Sequence, residues 1–341
     1  MGTLKKVFMI GGTGLLGSAG ARELIAHGYE VATLSLPPIP PGEQLPPEMT
    51  VTLGNYLEMA DDELRECFRG CDGFVFAAGV DERVEGPPPI YDLFKKYNID
   101  ALERLLRLAK ESGVRHTVVF GSYFAYFERT RPAQHLAQQH PYIRSRRDQE
   151  TMALSFADDD FSVAVLELPY IFGTQPGRKP VWVFLVESVR AMKRVTLYPK
   201  GGTTMVTVRQ VAQATVGALE RTEGGAVYPI GWFNMTWPEL LAIVHKYVGT
   251  PGKRVITIPT WMYQMGGRKI RKQQRAAGHE GGLDMVRFAD LQTSLQFIDK
   301  SEGALALGVT DDDIAAAIGE SVTLSVKVLD GRAATIDMRG E

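Results

Sequence analysis

Charge of either sign is nearly balanced in this chain of 341 residues, with 38 Lys and Arg against 40 Asp and Glu and a formal net charge of -2. That balance gives no reason to expect nucleic acid or an anionic membrane surface as a partner. Cysteine is scarce: only Cys67 and Cys71 occur. Their spacing is not the C-x-x-C of a redox or zinc pair, and two cysteines build no disulfide framework. We expect them to be reduced thiols on neighbouring turns of one helix, in a cytoplasmic protein. The six histidines contain no H-x-x-x-H or H-E-x-x-H arrangement, so no metal site is expected. Long hydrophobic runs are missing as well. The stretch at 181–186 is far short of the roughly 20 residues that cross a bilayer. Lys5 and Lys6 lead straight into the first apolar run, which excludes a secretory signal there. No G-x-S-x-G nucleophile elbow is present.

Glycine is plentiful, and its placement is informative. The apolar run Val7-Phe8-Met9-Ile10 ends in Gly11-Gly12-Thr13-Gly14-Leu15-Leu16-Gly17, and a helical pattern of Leu15, Leu16, Ala19, Leu24 and Ile25 follows. That is a strand, a tight turn and a helix start, the context in which a glycine triplet binds a dinucleotide. Gly11 suits a turn that requires positive φ. Gly14 lets backbone approach a pyrophosphate, and Gly17 lets the helix pack close to the strand. The helix N-terminus offers unpaired N–H groups and the positive end of its dipole to the anion.

Strand patterns recur at 30–34, 50–53, 73–77, 117–120 and 162–166, separated by helical ones. The clearest helix runs from Ile90 to about Ser112, where Ile90, Phe94, Tyr97, Ala101, Leu105 and Leu108 form one apolar stripe. Such alternation predicts an α/β fold with a doubly wound parallel sheet. Ligands of these sheets lie at the carboxyl ends of the strands, so Gly11, Ala78-Gly79 and Gly121-Ser122 are expected to line one crevice. Residues 37–47 hold six prolines and read as a loop. Residues 208–219 and 237–248 read as amphipathic helices flanking a strand at 226–230. Asp311-Asp312-Asp313 caps a helix start; residues 322–329 fit both a helical and a strand period, and continuation of that helix is favoured. We expect a dinucleotide-binding domain at 1–170 with a return segment around 204–232, and a mainly substrate-binding domain at 171–341.

Several of these features together resemble the extended short-chain dehydrogenase/reductase family, of the NAD(P)-dependent epimerase/dehydratase type. The glycine motif matches that family's version. Gly54-Asn55-Tyr56 stands where the family carries Gly-Asp near the adenine. Phe76-Ala77-Ala78-Gly79 resembles its apolar-Ala-Ala strand end, and Asn98 its asparagine in the long helix. Phe120-Gly121-Ser122 is similar to the strand end that carries a catalytic Ser or Thr. Tyr142-Ile143-Arg144-Ser145-Arg146 falls where the family has Tyr-x-x-Ser-Lys. Leu168-Pro169-Tyr170-Ile171-Phe172-Gly173 resembles the nicotinamide-side proline segment, and 297–308 the C-terminal Asp…Leu-Gly pattern.

The resemblance implies hydride transfer between a nicotinamide and the carbinol or carbonyl carbon of a small molecule. Tyr142 is then the acid/base, Ser122 hydrogen-bonds the substrate oxygen, and Arg146 takes the lysine's place. The cofactor-binding set it implies is Gly11, Gly12, Thr13, Gly14, Leu15, Leu16, Gly17, Ser35, Asn55, Tyr56, Ala77, Ala78, Gly79, Asn98, Tyr142, Arg146, Pro169, Tyr170 and Ile171. Arginine keeps the charge and spacing of lysine but is planar, bulkier and permanently protonated. It favours phenolate at Tyr142 through its charge and joins no proton relay. Tyr123 and His140 are the substitutes if Tyr142 only packs, although a lone loop histidine usually sits in solvent. Tyr126 reads as packing. Thr33-Leu34-Ser35-Leu36 ends the second strand without the acid that binds an NAD ribose, which favours NADP, with Ser35 as donor, over NAD. Val208-Arg209-Gln210-Val211-Ala212 departs from the family's acidic Val-Asp-Asp-Val-Ala. The basic run Arg268-Lys269-Ile270-Arg271-Lys272-Gln273-Gln274-Arg275 reads as a solvated helix face, with a diphosphate grip as the alternative. The alternatives in function are a sugar-nucleotide epimerase or dehydratase that keeps NAD bound, and a non-catalytic NAD(P)-binding redox sensor. The resemblance also implies a homodimer through helices 90–112 and 142–157.

Overall fold

The computed structural model describes residues 5–337. Seven strands form one all-parallel sheet in the order Gly225–Pro229, Ser162–Glu167, His116–Phe120, Gly73–Phe76, Lys6–Ile10, Glu30–Ser35 and Thr50–Leu53. This is the doubly wound arrangement expected from the alternation of patterns. Successive side chains of a strand point to opposite faces. Val7 and Met9 therefore join one core, with Val118, Phe120 and Leu166, whereas Phe8 and Ile10 join the other, with Phe74, Phe76 and Val119. Burial on both faces explains why the first strand is apolar from Val7 to Ile10. Phe8, Phe68 and Phe74 pack as an aromatic triplet with centroids 5.0–6.2 Å apart. Full burial stabilises by about 1.5–3 kcal/mol for each such side chain.

The long helix spans Tyr91–Phe94, Lys95–Asp100 and Ala101–Glu111, and its middle portion is π-helical. Such bulges re-aim side chains at functional sites, and this one carries Asn98. The first helix, Leu15–Ala26, packs on helix Val208–Arg221, where Gly20 faces Thr215. Strand Gly225–Pro229 then returns the chain to the edge of the main sheet.

The remaining elements form a second layer. Strand Gly202–Thr207 pairs with Phe233–Thr236, Leu295–Gln296 and Tyr170–Phe172. Helices Val183–Ala191, Trp237–Val248 and Ile314–Leu329 surround Phe172, Trp182 and Trp237. The last helix includes 322–329, which decides between the helix and the strand that its pattern left open. Two short pairings matter below: Thr196–Pro199 with Val255–Ile258, and Glu85–Gly86 with Glu280–Gly281. The cysteines are not helix neighbours. Their helix ends at Phe68, and Cys71 follows a turn, its thiol directed at the Cys67 carbonyl. Both are free, and burial pushes both thiols up.

Candidate active site

The glycine segment turns between the first strand and the first helix. Gly11 has φ +86°, and a Cβ there would stand 2.7 Å from the Ala77 carbonyl oxygen. A Cβ on Gly17 would lie 2.2 Å from the Gly11 carbonyl oxygen, so only glycine permits this helix-to-turn contact. Gly14 differs: its Cβ would meet only that same oxygen, at 3.3 Å. Gly14 is the N-cap of the helix and supplies no side-chain cap. The N–H groups of Leu15, Leu16 and Gly17 therefore lack intrahelical partners beside an open glycine. This cradle suits the pyrophosphate of a dinucleotide, held by backbone donors and the helix dipole.

Beneath it, the Gly12 N–H donates to Thr33 Oγ1 at 2.9 Å and the Thr13 N–H to Ser35 Oγ at 3.2 Å. Thr33 donates its own proton to the Met9 carbonyl at 3.0 Å, so Ser35 donates to Thr33. Ser35 is buried, and its hydroxyl locks the glycine loop to the second strand. The Ser35 hydroxyl is thus engaged by the Thr13 N–H and by Thr33 in this structure. Arg22 is also turned away, donating to Glu43 and to the Gln44 carbonyl. Asn55 closes a turn by accepting from the Leu57 N–H, and Tyr56 packs edge-on to Phe76 in the core. Burial pushes the Tyr56 phenol up to about 12.

The catalytic candidates lie on helix Pro141–Leu154. Pro141 opens it at the first position, where proline costs no hydrogen bond. Tyr142, Arg146 and Gln149 share one face by helical spacing. Arg146 donates from Nε to the Tyr142 phenol oxygen at 3.0 Å, from one terminal nitrogen to Gln149 Oε1 at 2.9 Å, and from the other to the Val80 carbonyl at 3.2 Å. Gln149 donates to the Asn98 carbonyl at 2.7 Å. The Asn98 side chain pairs with both backbone groups of Val80, at 2.8 and 3.1 Å. Asn98 therefore pins the loop that follows Ala77-Ala78-Gly79, and that loop in turn holds Arg146.

Ser122 follows the strand His116–Phe120 as the N-cap of helix Tyr123–Thr130, its hydroxyl accepting from the Phe124 N–H at 3.4 Å on the side of the Tyr142 phenol. Tyr142 and Arg146 are 4% and 7% exposed, so their charges interact with little screening. Burial raises the Tyr142 phenol above its ordinary value, whereas Arg146 and Ser122 pull it down. Burial wins. Arg146 favours phenolate as expected, but the resting group is the phenol.

The structure departs from sequence expectations at other residues. His140 is fully buried rather than solvated. Its Nδ1 accepts from the Asp284 N–H at 3.1 Å, and burial lowers it to about 4, so the ring is neutral. Tyr123 is buried and bonds Gln296 at 3.1 Å and Thr203 at 3.3 Å. Pro169 follows the strand Ser162–Glu167. Tyr170 stacks among Tyr123, Trp182 and Trp237, and the Ile171 carbonyl accepts from Trp182. Gln149 was missed, although its spacing from Tyr142 and Arg146 made it legible. Glu82 was also missed. It sits in a loop without motif, near Tyr142, Tyr123 and Arg146; burial and Asp81 push its carboxyl up, while Arg83 and Arg146 oppose them.

The parallel sheet, the glycine cradle and the Tyr142–Arg146 pair define a nicotinamide-dependent enzyme of the short-chain dehydrogenase/reductase type. Residues 7–231 match the NAD dependent epimerase/dehydratase family, and the chain belongs to that family. The sterol-4-alpha-carboxylate 3-dehydrogenase, decarboxylating, of Dictyostelium discoideum is 32% identical over 120 residues. That match covers 34% of this chain, and the chain spans about a third (34%) of the curated relative. A nucleoside-diphosphate-sugar epimerase from Pseudomonas aeruginosa has the same fold, with TM-score 0.69 and 14% identity over 96% of this chain and 99% of that one. UDP-glucose 4-epimerase from Bifidobacterium longum, solved with NAD+ and UDP, gives TM-score 0.65 and 14% identity over 96% and 99%. The cofactor is a nicotinamide dinucleotide, and neither NAD nor NADP is singled out. Among the described residues no helix is long and apolar enough to cross a membrane.

Proposed function

We propose that this chain interconverts a ketone and a secondary alcohol on a small, largely apolar molecule. The observation that carries this reading is the buried contact between the Arg146 guanidinium and the Tyr142 phenol. A nicotinamide held in the glycine cradle would supply the hydride chemistry of this interconversion. In reduction, Tyr142 gives its phenolic proton to the carbonyl oxygen, and Ser122 holds that oxygen by a hydrogen bond. Burial keeps the proton on Tyr142 until it is needed, and Arg146 stabilises the phenolate left behind. In oxidation the same groups run in reverse. The free N–H groups of Leu15, Leu16 and Gly17, beside the open Gly14, would hold the pyrophosphate, and Asn98 with Gln149 holds Arg146 in place. The phenols of Tyr123, Tyr170 and Tyr198 give the substrate side an aromatic wall.

The diphosphate grip of an epimerase finds little support. Arg268, Lys269, Lys272 and Arg275 are exposed, and Arg271 is taken by Asp284. The test is incubation of purified chain with NADH or NADPH and a panel of ketones and aldehydes. Turnover of apolar cyclic ketones is expected. Tight binding without turnover would favour the redox sensor, and co-purified NAD the epimerase. We also place the protein in the cytoplasm, because both thiols are free. A homodimer through helices 90–112 and 142–157 would join charged outer faces, among them Lys95, Lys96, Glu103, Arg144 and Arg147. We propose it only as a salt-sensitive association, measurable by sedimentation.

Arg146→Met is expected to move the pH profile of alcohol oxidation upward. The phenol already lies above its ordinary value, and removal of the guanidinium takes away an influence that lowers it. Oxidation needs phenolate, so its rising limb shifts to higher pH; reduction, which needs phenol, is retained at neutral pH. An unchanged oxidation profile would mean that Arg146 does not tune Tyr142.

A further inference from the structure

The exposed large apolar side chains of this protein are not scattered. Among the described residues six of eleven, Leu197, Ile256, Trp261, Met262, Met265 and Ile270, belong to helix Thr260–Ala276 and the strand pair that leads into it. Leu197 and Ile256 are direct cross-strand partners, so they project from the same face. The helix begins two residues after the strand Val255–Ile258. Trp261 and Met265 are one turn apart along it, and 59% and 55% exposed. Its inner face is a different surface: Gly267 packs on the Met285 backbone, Arg271 pairs with Asp284, and Tyr263 is half-buried, its phenol pushed up by burial. Directly after the helix, the Gly282 carbonyl accepts from the Tyr142 N–H at 2.9 Å. The apolar outer face therefore belongs to the element that covers the active site.

Charge is segregated to the same place. Residues 188–200 contain four Lys and Arg and residues 250–279 seven, and neither segment contains Asp or Glu. The strand pair joins the two segments. Lys193, Arg194, Lys200, Arg254, Arg268, Lys269, Lys272 and Arg275 are all exposed, and among the described residues none forms an ion pair. The net charge of -2 conceals this surface, because the excess acid lies elsewhere in the chain.

We propose that helix Thr260–Ala276, with the strand pair beside it, docks on an anionic lipid bilayer. Trp261, Met262 and Met265 enter the headgroup boundary, and Arg268, Lys269 and Lys272 meet lipid phosphates. A helix with Trp and Met beside clustered Lys and Arg lies in the membrane interface without spanning it. Anionic lipid attracts each basic residue within a Debye length. A second copy of the chain fits less well, because two such surfaces would oppose like charges. The proposal revises the expectation, drawn from net charge, that the protein has no membrane partner. It does not rest on the identity of the substrate.

Flotation of the full-length chain with vesicles tests this. Phosphatidylcholine vesicles containing a quarter phosphatidylserine are expected to carry the protein, and pure phosphatidylcholine vesicles are not. Trp261→Ser with Met265→Ser should reduce binding at least tenfold, and Lys269→Glu with Lys272→Glu should remove the preference for phosphatidylserine. Thermal melting and NADPH binding of both variants should match the parent, which separates lost docking from lost folding. The proposal is overturned by absence of wild-type binding to either vesicle, by equal binding to both, or by variants that bind as the parent does. It is also overturned if sedimentation shows a dimer that the Trp261 and Met265 substitutions dissolve, which would make a second copy the occupant.

Discussion

Tyr142→Phe is expected to slow turnover about a hundred- to ten-thousand-fold, the range that a positioned acid/base contributes. The phenyl ring keeps its edge-on contacts with Phe94 and Phe124 at 5.5 and 6.2 Å, so packing survives. What is lost is the proton and the acceptor for Arg146 Nε. The guanidinium retains Gln149 and Val80 as partners, so the variant should fold and bind cofactor nearly as the parent does. Steady-state kinetics with one accepted ketone, together with cofactor titration, checks both halves. Wild-type turnover across the pH range would assign the proton to another group. His140 is then a poor choice, because its ring is buried, neutral and turned toward the Asp284 N–H. Tyr123 is also poor: burial drives its phenol up, and Thr203 and Gln296 occupy its oxygen.

Gly14→Val is expected to abolish cofactor binding while leaving the fold intact. The added Cβ meets only the Gly11 carbonyl oxygen, at 3.3 Å, so the turn itself accommodates it with a small shift. The branched side chain then occupies the space through which a pyrophosphate must approach the Leu15 and Leu16 N–H groups. Gly17→Ala is the contrasting control. Its Cβ would lie 2.2 Å from backbone that has no room to move, and overpacking of that kind costs about 1–3 kcal/mol or more. Gly14→Val should thus lose calorimetric binding at an unchanged melting temperature, whereas Gly17→Ala should melt earlier. Unchanged affinity in Gly14→Val would move the dinucleotide away from this loop.

The strands at 7–10, 73–77 and 117–120 were legible because parallel strands buried on both faces are largely apolar rather than alternating. Helix 237–248 was legible because it buries one stripe; helix 208–219, read as amphipathic, is instead buried over most of its surface, between the main sheet and the first helix. The glycine turn was legible because it is local: strand, turn and helix start lie within a dozen residues. Tyr142 and Arg146 could be read together because four residues make one helical turn. None of these needs a distant partner to be recognised.

The roles of Ser35, Asn98 and His140 were decided by partners far along the chain. Ser35 bonds the Thr13 N–H, Asn98 the backbone of Val80, and His140 the N–H of Asp284. Whether a hydroxyl is free for a ligand or used to hold a loop depends on what the fold brings opposite it. Arg146 shows both levels in one residue. The amino-acid order alone determined its charge and its place one turn from Tyr142. Only the tertiary structure decided that burial outweighs that charge, because desolvation is set by everything packed around the phenol, whereas the attraction is set by one neighbour.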